Sequence, residues 1–203
     1  MADVDLGGRR LEVRKYKPRR IMSITKVLRG KEYSFETKPG LFSKNEVDQG
    51  SELLINTMMI EPHDIVLDLG CGYGAIGLVA ANLAHLGKVY MADTDVRAVK
   101  FSKLNAKLNT VENVEILASD GFEGMPDIEF NVIVSNPPSH LPKETIREFV
   151  EGAMKQLKKG GRVYFVTERR IQPMVQREFE RVFGNYEDVA SRDQYVVSVA
   201  HRR

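Results

Sequence analysis

The chain of 203 residues carries 30 Lys/Arg against 28 Asp/Glu, a formal net charge of +2, and is 42% hydrophobic and 29% charged. That is the composition of one globular domain with a sizeable core, without internal repeats or low-complexity tracts. No apolar run approaches the ~20 residues of a membrane span, residues 1–10 lack the apolar stretch of a secretory signal, and the one cysteine, Cys71, excludes an internal disulfide. No Cys/His cluster has metal-ligand spacing, so no metal is expected, and a cytoplasmic location fits the reduced cysteine usage.

Taken in chain order, residues 1–31 hold ten Lys/Arg and three acids, a local charge of +7 that leaves −5 for the rest. We read residues 1–30 as a basic arm, in which Arg9, Arg10, Arg14, Lys15, Lys17, Arg19 and Arg20 suit a polyanionic partner as well as a solvated terminus. Residues 31–203 form the main domain. Its lead-in, 31–45, is a small hairpin: Tyr33 to Thr37 alternate like a strand, and Lys38-Pro39-Gly40 signals a turn. A core then spans 46–203, opening with a helix over about Asp48 to Met59.

From Asp64 onward short apolar runs alternate with helix-period segments. Ile65 to Leu67 reads as a strand, followed by helical spacing of Ile76, Val79, Ala80 and Leu83. Val89 to Ala92 is a second strand, with Asp95 placed to cap a helix marked by Ala98, Phe101, Leu104 and Leu108. Val114 to Leu117 and Phe130 to Val134 are the third and fourth, the latter apolar enough to be covered on both faces. Ile146, Phe149, Val150, Ala153 and Leu157 make an amphipathic helix, and Lys158-Lys159-Gly160-Gly161 has the cations and glycines of a helix end. Val163 to Val166, a helix around Val175 to Phe183, and a closing strand Tyr195 to Ala200 complete the chain. The alternation predicts an α/β fold of parallel strands with right-handed crossovers, whose ligand lies at the carboxyl ends of the strands.

The residues suited to chemistry fall at those ends. Strand one runs into Asp68-Leu69-Gly70-Cys71-Gly72-Tyr73-Gly74, where glycines allow close approach of a ligand to the backbone. Gly72, Gly74 and Gly77 also satisfy the dinucleotide pattern, but a carboxylate at Asp68 would repel a pyrophosphate and suits a ligand with an ammonium group, such as the methionine part of S-adenosylmethionine. Asp93, ending strand two, can accept from both hydroxyls of a ribose. Asp120, ending strand three, can accept from an adenine amino group or bond its own backbone. After strand four comes Asn136-Pro137-Pro138-Ser139-His140. The prolines remove two N–H donors and stiffen the backbone, so the Pro137 carbonyl and the Asn136 side-chain carbonyl are two acceptors able to hold an –NH2 group and aim its lone pair. A proline-rich turn with no chemistry is the alternative. Ser139 and His140 stand where a substrate could be touched; His63 and His85 read as surface positions.

Together, the glycine loop, Asp93, Asp120 and Asn136-Pro137-Pro138 resemble the class I amino-methyltransferases, in which these positions hold the methionine end, ribose, adenine and target nitrogen. Pro39-Gly40-Leu41-Phe42-Ser43, then Val47-Asp48-Gln49-Gly50-Ser51 and Leu53-Leu54, resembles the lead-in of the "methyltransferase small" domain, similar to bacterial small-subunit ribosomal RNA guanine-N2 methyltransferases and their compact archaeal relatives. The resemblance spans about Lys31 to the C-terminus. It implies a Rossmann-like sheet of seven strands with the last antiparallel, S-adenosylmethionine as cofactor, and methylation of guanine N2 in ribosomal RNA. Two departures stand out: the bacterial enzymes carry an extra N-terminal copy of the domain, and Ser139 occupies a position where many members have an aromatic. Phe42 and Tyr73 are the candidate stacking faces in its place. Adenine N6, a protein glutamine amide, or RNA or nucleotide binding without catalysis are the competing readings.

Overall fold

The computed structural model describes residues 21–41, 46–140 and 142–203. Phe42 and the arm cations Arg9, Arg10, Arg14, Lys15, Lys17, Arg19 and Arg20 lie outside the described residues. The lead-in hairpin pairs β1 (Met22–Leu28) with β2 (Lys31–Thr37) in antiparallel register. Its turn falls at Arg29-Gly30, where both residues have positive φ; Lys38 to Leu41 then form a second turn, closed by Leu41 N–H to Lys38 O at 3.1 Å. The hairpin therefore begins well before residue 31. It also engages three of the cations counted with the arm: Lys26 pairs with Glu52 at 3.1 Å, Arg29 donates to the carbonyls of Asn56 and Met58 near a helix end, and Lys31 donates to Asn82.

The core elements follow as α1 (Gln49–Thr57), β3 (Ile65–Leu69), α2 (Ala75–Leu83), β4 (Lys88–Asp93), α3 (Val96–Leu108), β5 (Val114–Ala118), β6 (Phe130–Ser135), α4 (Lys143–Gln156), β7 (Leu157–Glu168), α5 (Gln172–Phe183), β8 (Glu187–Arg192) and β9 (Tyr195–His201). Seven strands form one sheet in the order β5-β4-β3-β6-β7-β9-β8, parallel except for β9, which runs antiparallel to both neighbours. This is the seven-stranded, mostly parallel sheet expected, with helices on both faces. One core cluster packs α1, α2, α3 and the hairpin on one face, and α4 and α5 cover the other through Ile146, Val150, Val175 and Phe179, all buried.

One local expectation is corrected, and one strand was not foreseen. α4 ends at Gln156, with Leu157 already extended, so Lys158 to Gly161 do not cap it. They form an irregular entry to β7, in which the partner of β6 jumps from Leu157 at Phe130 to Arg162 at Val132; the extra residues turn at Gly160, φ +79°. β8 carries no apolar alternation and is exposed almost throughout, as suits an edge strand.

The hairpin is attached through two asparagines of α3. Asn105 accepts from Glu36 N–H at 2.7 Å and donates to Glu36 O at 3.0 Å, and Asn109 makes the same pair with Ser34, at 3.0 and 2.7 Å. Side-chain amides thus imitate a neighbouring strand along β2, each bond contributing on the order of 1 kcal/mol. Asn105 is wholly buried and also donates to Tyr73 O at 2.8 Å, which ties the hairpin to the glycine loop.

Candidate active site

Strand register places the site. Leu69 pairs with Ala92 on β4 and with Ser135 on β6, and Asp93 pairs with Ala118 on β5. The strand ends therefore lie in one row across four strands, about 14 Å at ~4.8 Å per interval. Gly70, Asp93, Asp120 and Asn136 follow or close these ends. They share one cavity of about 430 Å³, also lined by Cys71, Gly72, Tyr73, Pro137 and Pro138.

The glycine loop is held from below. Gly70 and Cys71 N–H both donate to Ala92 O, at 2.8 and 2.9 Å, and Ser102 donates to Gly72 O at 2.8 Å. Space is open where side chains at Gly70 and Gly72 would project, whereas a Cβ at Gly77 would meet the Met91 side chain at 2.7 Å. Gly77 thus serves close packing of α2 on β4. Gly74 has φ +102° as the N-cap of α2, where it turns the chain, and it is not among the residues that line this cavity.

Asp68 is also not on the cavity wall. It is 0% exposed, and neither carboxylate oxygen receives a hydrogen bond of good geometry, although the Gly77 backbone N–H lies near enough to favour the charged form. Burial pushes its pKa up to about 7, opposed by the nearby Gly77 N–H and helped by Asp93. The expectation of a carboxylate at the loop's mouth is therefore revised to one beneath the loop, an orphaned acid of the kind a cationic group above it would satisfy. Burial, with Asp68 and Asp93 behind it, also pushes the Cys71 thiol well up, so Cys71 is a neutral lining group.

Asp93 accepts from Gly72 N–H and from Asp95 N–H, both at 2.8 Å, one on each oxygen. Each oxygen keeps a second lone-pair direction for a ligand. Asp95 is engaged as the cap of α3, accepting from Arg97 N–H at 2.8 Å and pairing with the Arg97 guanidinium, which holds its carboxyl below the usual range. Asp120 is exposed on a loop that Ser119 organises by donating to Gly121 O and Glu123 O. Across from it, Thr145 and Phe149 of α4 line the cavity.

Asn136 is half-buried. Its Nδ2 donates to Asp48 Oδ2 and to Ser51 Oγ, both at 2.9 Å, and both partners line the cavity. Ser139 and His140 do not line it. The Ser139 carbonyl accepts from Arg170 at 3.0 Å, Arg170 pairs with Glu168 at 2.6 Å, and the Ser139 hydroxyl also bonds Glu168. This clamp from the end of β7 steadies the loop after the prolines; His140 is exposed. Tyr73 has a cavity-facing edge, but its ring is 4% exposed and stands edge-on to Phe35 at 5.5 Å, so it is core more than stacking platform.

Sequence reasoning missed Asp48, Ser51, Thr145 and Phe149 as cavity residues. Asp48 and Ser51 read locally as the start of a helix, and Phe149 as part of the apolar face of α4. Among the described residues no group of His, Cys, Asp and Glu could hold a metal ion, and no helix is long and apolar enough to cross a membrane.

A glycine loop after the first parallel strand, acids ending the next two and Asn-Pro-Pro after the fourth, beneath a sheet whose penultimate strand is antiparallel, define a class I methyltransferase. A family model described as the methyltransferase small domain matches residues 32–199. The uncharacterized protein YbxB of Bacillus subtilis is 34% identical over 86% of this chain and 89% of its own length. The ribosomal RNA small subunit methyltransferase C of Pseudomonas putida is 32% identical over 81% of this chain and 50% of its own length. Among solved structures, the Thermus thermophilus 16S rRNA N2 methyltransferase RsmC, in complex with AdoMet and guanosine, superposes with a TM-score of 0.81 at 28% identity, covering 92% of this chain and 52% of that one. This chain thus spans about half the length of the methyltransferases C it matches. The chain belongs to the methyltransferase small domain family, and it is an S-adenosylmethionine-dependent methyltransferase.

Proposed function

We propose that the protein methylates the exocyclic N2 of a guanine in small-subunit ribosomal RNA, in the cytoplasm. The observation that carries this reading is one cavity lined together by Gly70 and Gly72 of the glycine loop, Asp93, Asp120 and Asn136-Pro137-Pro138. The similarity to methyltransferases C, and to a relative solved with AdoMet and guanosine, supports the same target.

When bound, S-adenosylmethionine supplies a methyl group activated on a sulfonium. The open approach at Gly70 and Gly72 suits its methionine part, and the orphaned Asp68 beneath the loop suits its positive charge. The free lone pairs of Asp93 suit the ribose, and the Asp120 loop with Phe149 opposite suits the adenine. Asn136 Oδ1 and the Pro137 carbonyl accept the two hydrogens of the target –NH2, which aims the nitrogen lone pair along the line of displacement. The sulfonium would give up its methyl group with the S–C pair returning to sulfur, and the target nitrogen, held by Asn136 and Pro137, would lose one proton to water. A guanine in a helix must be looped or flipped out to reach this cavity. The cations of residues 9–20 supply phosphate contacts that hold RNA without reading its sequence.

The test is transfer of labelled methyl to unmodified small subunits, ribosomal RNA, DNA and a protein fraction in parallel, followed by digestion. Label in N2-methylguanosine is expected. Label in methyladenosine or methylglutamine instead would disprove the target while leaving the site chemistry in place.

A further inference from the structure

The two amide hydrogens of Asn136 are both spoken for, by Asp48 Oδ2 and Ser51 Oγ. A carboxylate oxygen can only accept, so it is the NH2 end of the side chain that faces Asp48. The carbonyl oxygen Oδ1 is thereby turned to the opposite side, away from α1. We propose that Asp48, with Ser51, is a positioning residue for methyl transfer: it locks the Asn136 amide so that Oδ1 is presented as an acceptor to the target amine. The inference rests on the function proposed above and deepens it.

The network is more than a helix cap needs. Asp48 is the N-cap of α1, and Oδ2 accepts from Ser51 N–H at 2.9 Å, a bond that Ser or Asn would supply as well. Oδ2 also takes the bond from Asn136, and the Tyr195 hydroxyl of β9 approaches Oδ1 at 3.3 Å. α1, β6 and β9, far apart in sequence, thus converge on one carboxylate. The convergence is tight: a Cβ at Gly50 would lie 2.8 Å from the Tyr195 ring.

The lock matters because an amide has two nearly isosteric orientations. Flipped, Asn136 would offer N–H donors to an amine that itself has N–H groups to donate, and the target would be repelled from the productive pose. A neutral capping residue could serve either orientation; a carboxylate admits one. It also polarises the amide: a chain from carboxylate through N–H and C=O to the target N–H strengthens each successive bond. Positive charge develops on the target nitrogen during attack, so the Oδ1 bond gains strength toward the transition state.

The test uses Asp48→Ser, which keeps a good N-cap for α1 but removes the carboxylate from Asn136. In the free, isotopically labelled protein, the Asn136 side-chain NH2 signals are expected to shift and their exchange with water to accelerate. Turnover is expected to fall on the order of tenfold to a hundredfold, with cofactor affinity unchanged, and the same substitution is expected to cost nothing further in an Asn136→Ala background. Asn136 amide signals and exchange unaltered by Asp48→Ser would overturn the lock, whichever substrate is methylated. So would a loss of turnover that is undiminished when Asn136 is already alanine. The amide measurement requires no substrate, so it fails or succeeds independently of the choice of guanine as target.

Discussion

Replacing Asp68 by Asn is expected to remove a dependence of stability on pH that the ligand-free wild type shows between about pH 4 and pH 7. Asp68 is wholly buried with no hydrogen bond of good geometry to either oxygen, and burial, only partly offset by the Gly77 N–H, raises its pKa from 3.8 to about 7. Between those values the folded protein holds a proton that the unfolded chain has released. The folded state then binds more protons, and stability falls as pH rises. The contribution is fully present below pH 4, declines toward pH 7 and levels off above it. A difference of about 3 units at 1.36 kcal/mol per unit gives about 4 kcal/mol in all. Asparagine has nearly the same shape and no charge to desolvate. Urea unfolding of both proteins at half-unit steps from pH 4.5 to 8 reads the difference directly. The stability of Asp68→Asn relative to wild type should grow by about 1.4 kcal/mol per pH unit and flatten near pH 7. Parallel pH profiles for the two proteins would refute the idea of an unpaired carboxylate beneath the loop.

Other expectations follow from the same geometry. If the positive charge of S-adenosylmethionine pairs with ionised Asp68, its affinity in calorimetric titration should weaken by up to about tenfold for each pH unit below 7, and Asp68→Asn should flatten that slope. Asp93→Ala should weaken cofactor binding by about 2–3 kcal/mol, the worth of a charge-assisted pair; a loss under about tenfold would shift the ribose role to other groups. Deleting residues 1–20 should weaken RNA binding and lower the slope of log affinity against log salt by up to about 0.7 for each phosphate that the arm neutralises, with cofactor affinity untouched. Unchanged RNA binding after this truncation would show that the arm has no part in holding RNA.

Much of the fold was legible because β3, β4 and β6 are buried on both faces and read as continuous apolar runs. β8 was not, since an exposed edge strand has no apolar alternation to detect. The end of α4 was misplaced because Lys158 to Gly161 have the composition of a helix cap but are used to insert extra residues at the start of β7. In the site, Gly70, Asp93 and Asn136 were visible as residues that follow or end strands. The depth of Asp68 was not, because local sequence does not say on which side of a loop a side chain points. Asp48 and Ser51 were hidden for a different reason. Their capping role explains them locally, and the bond to Asn136 spans 88 residues of sequence.

The most direct test of the proposed chemistry is the turnover of Asn136→Ala on the substrate that wild type methylates, measured beside its affinity for S-adenosylmethionine. If Asn136 holds the target amine, turnover should fall on the order of a hundredfold, while cofactor affinity stays within about threefold, a difference of under about 1 kcal/mol. Near-normal turnover would contradict the central claim that this side chain aims the nitrogen.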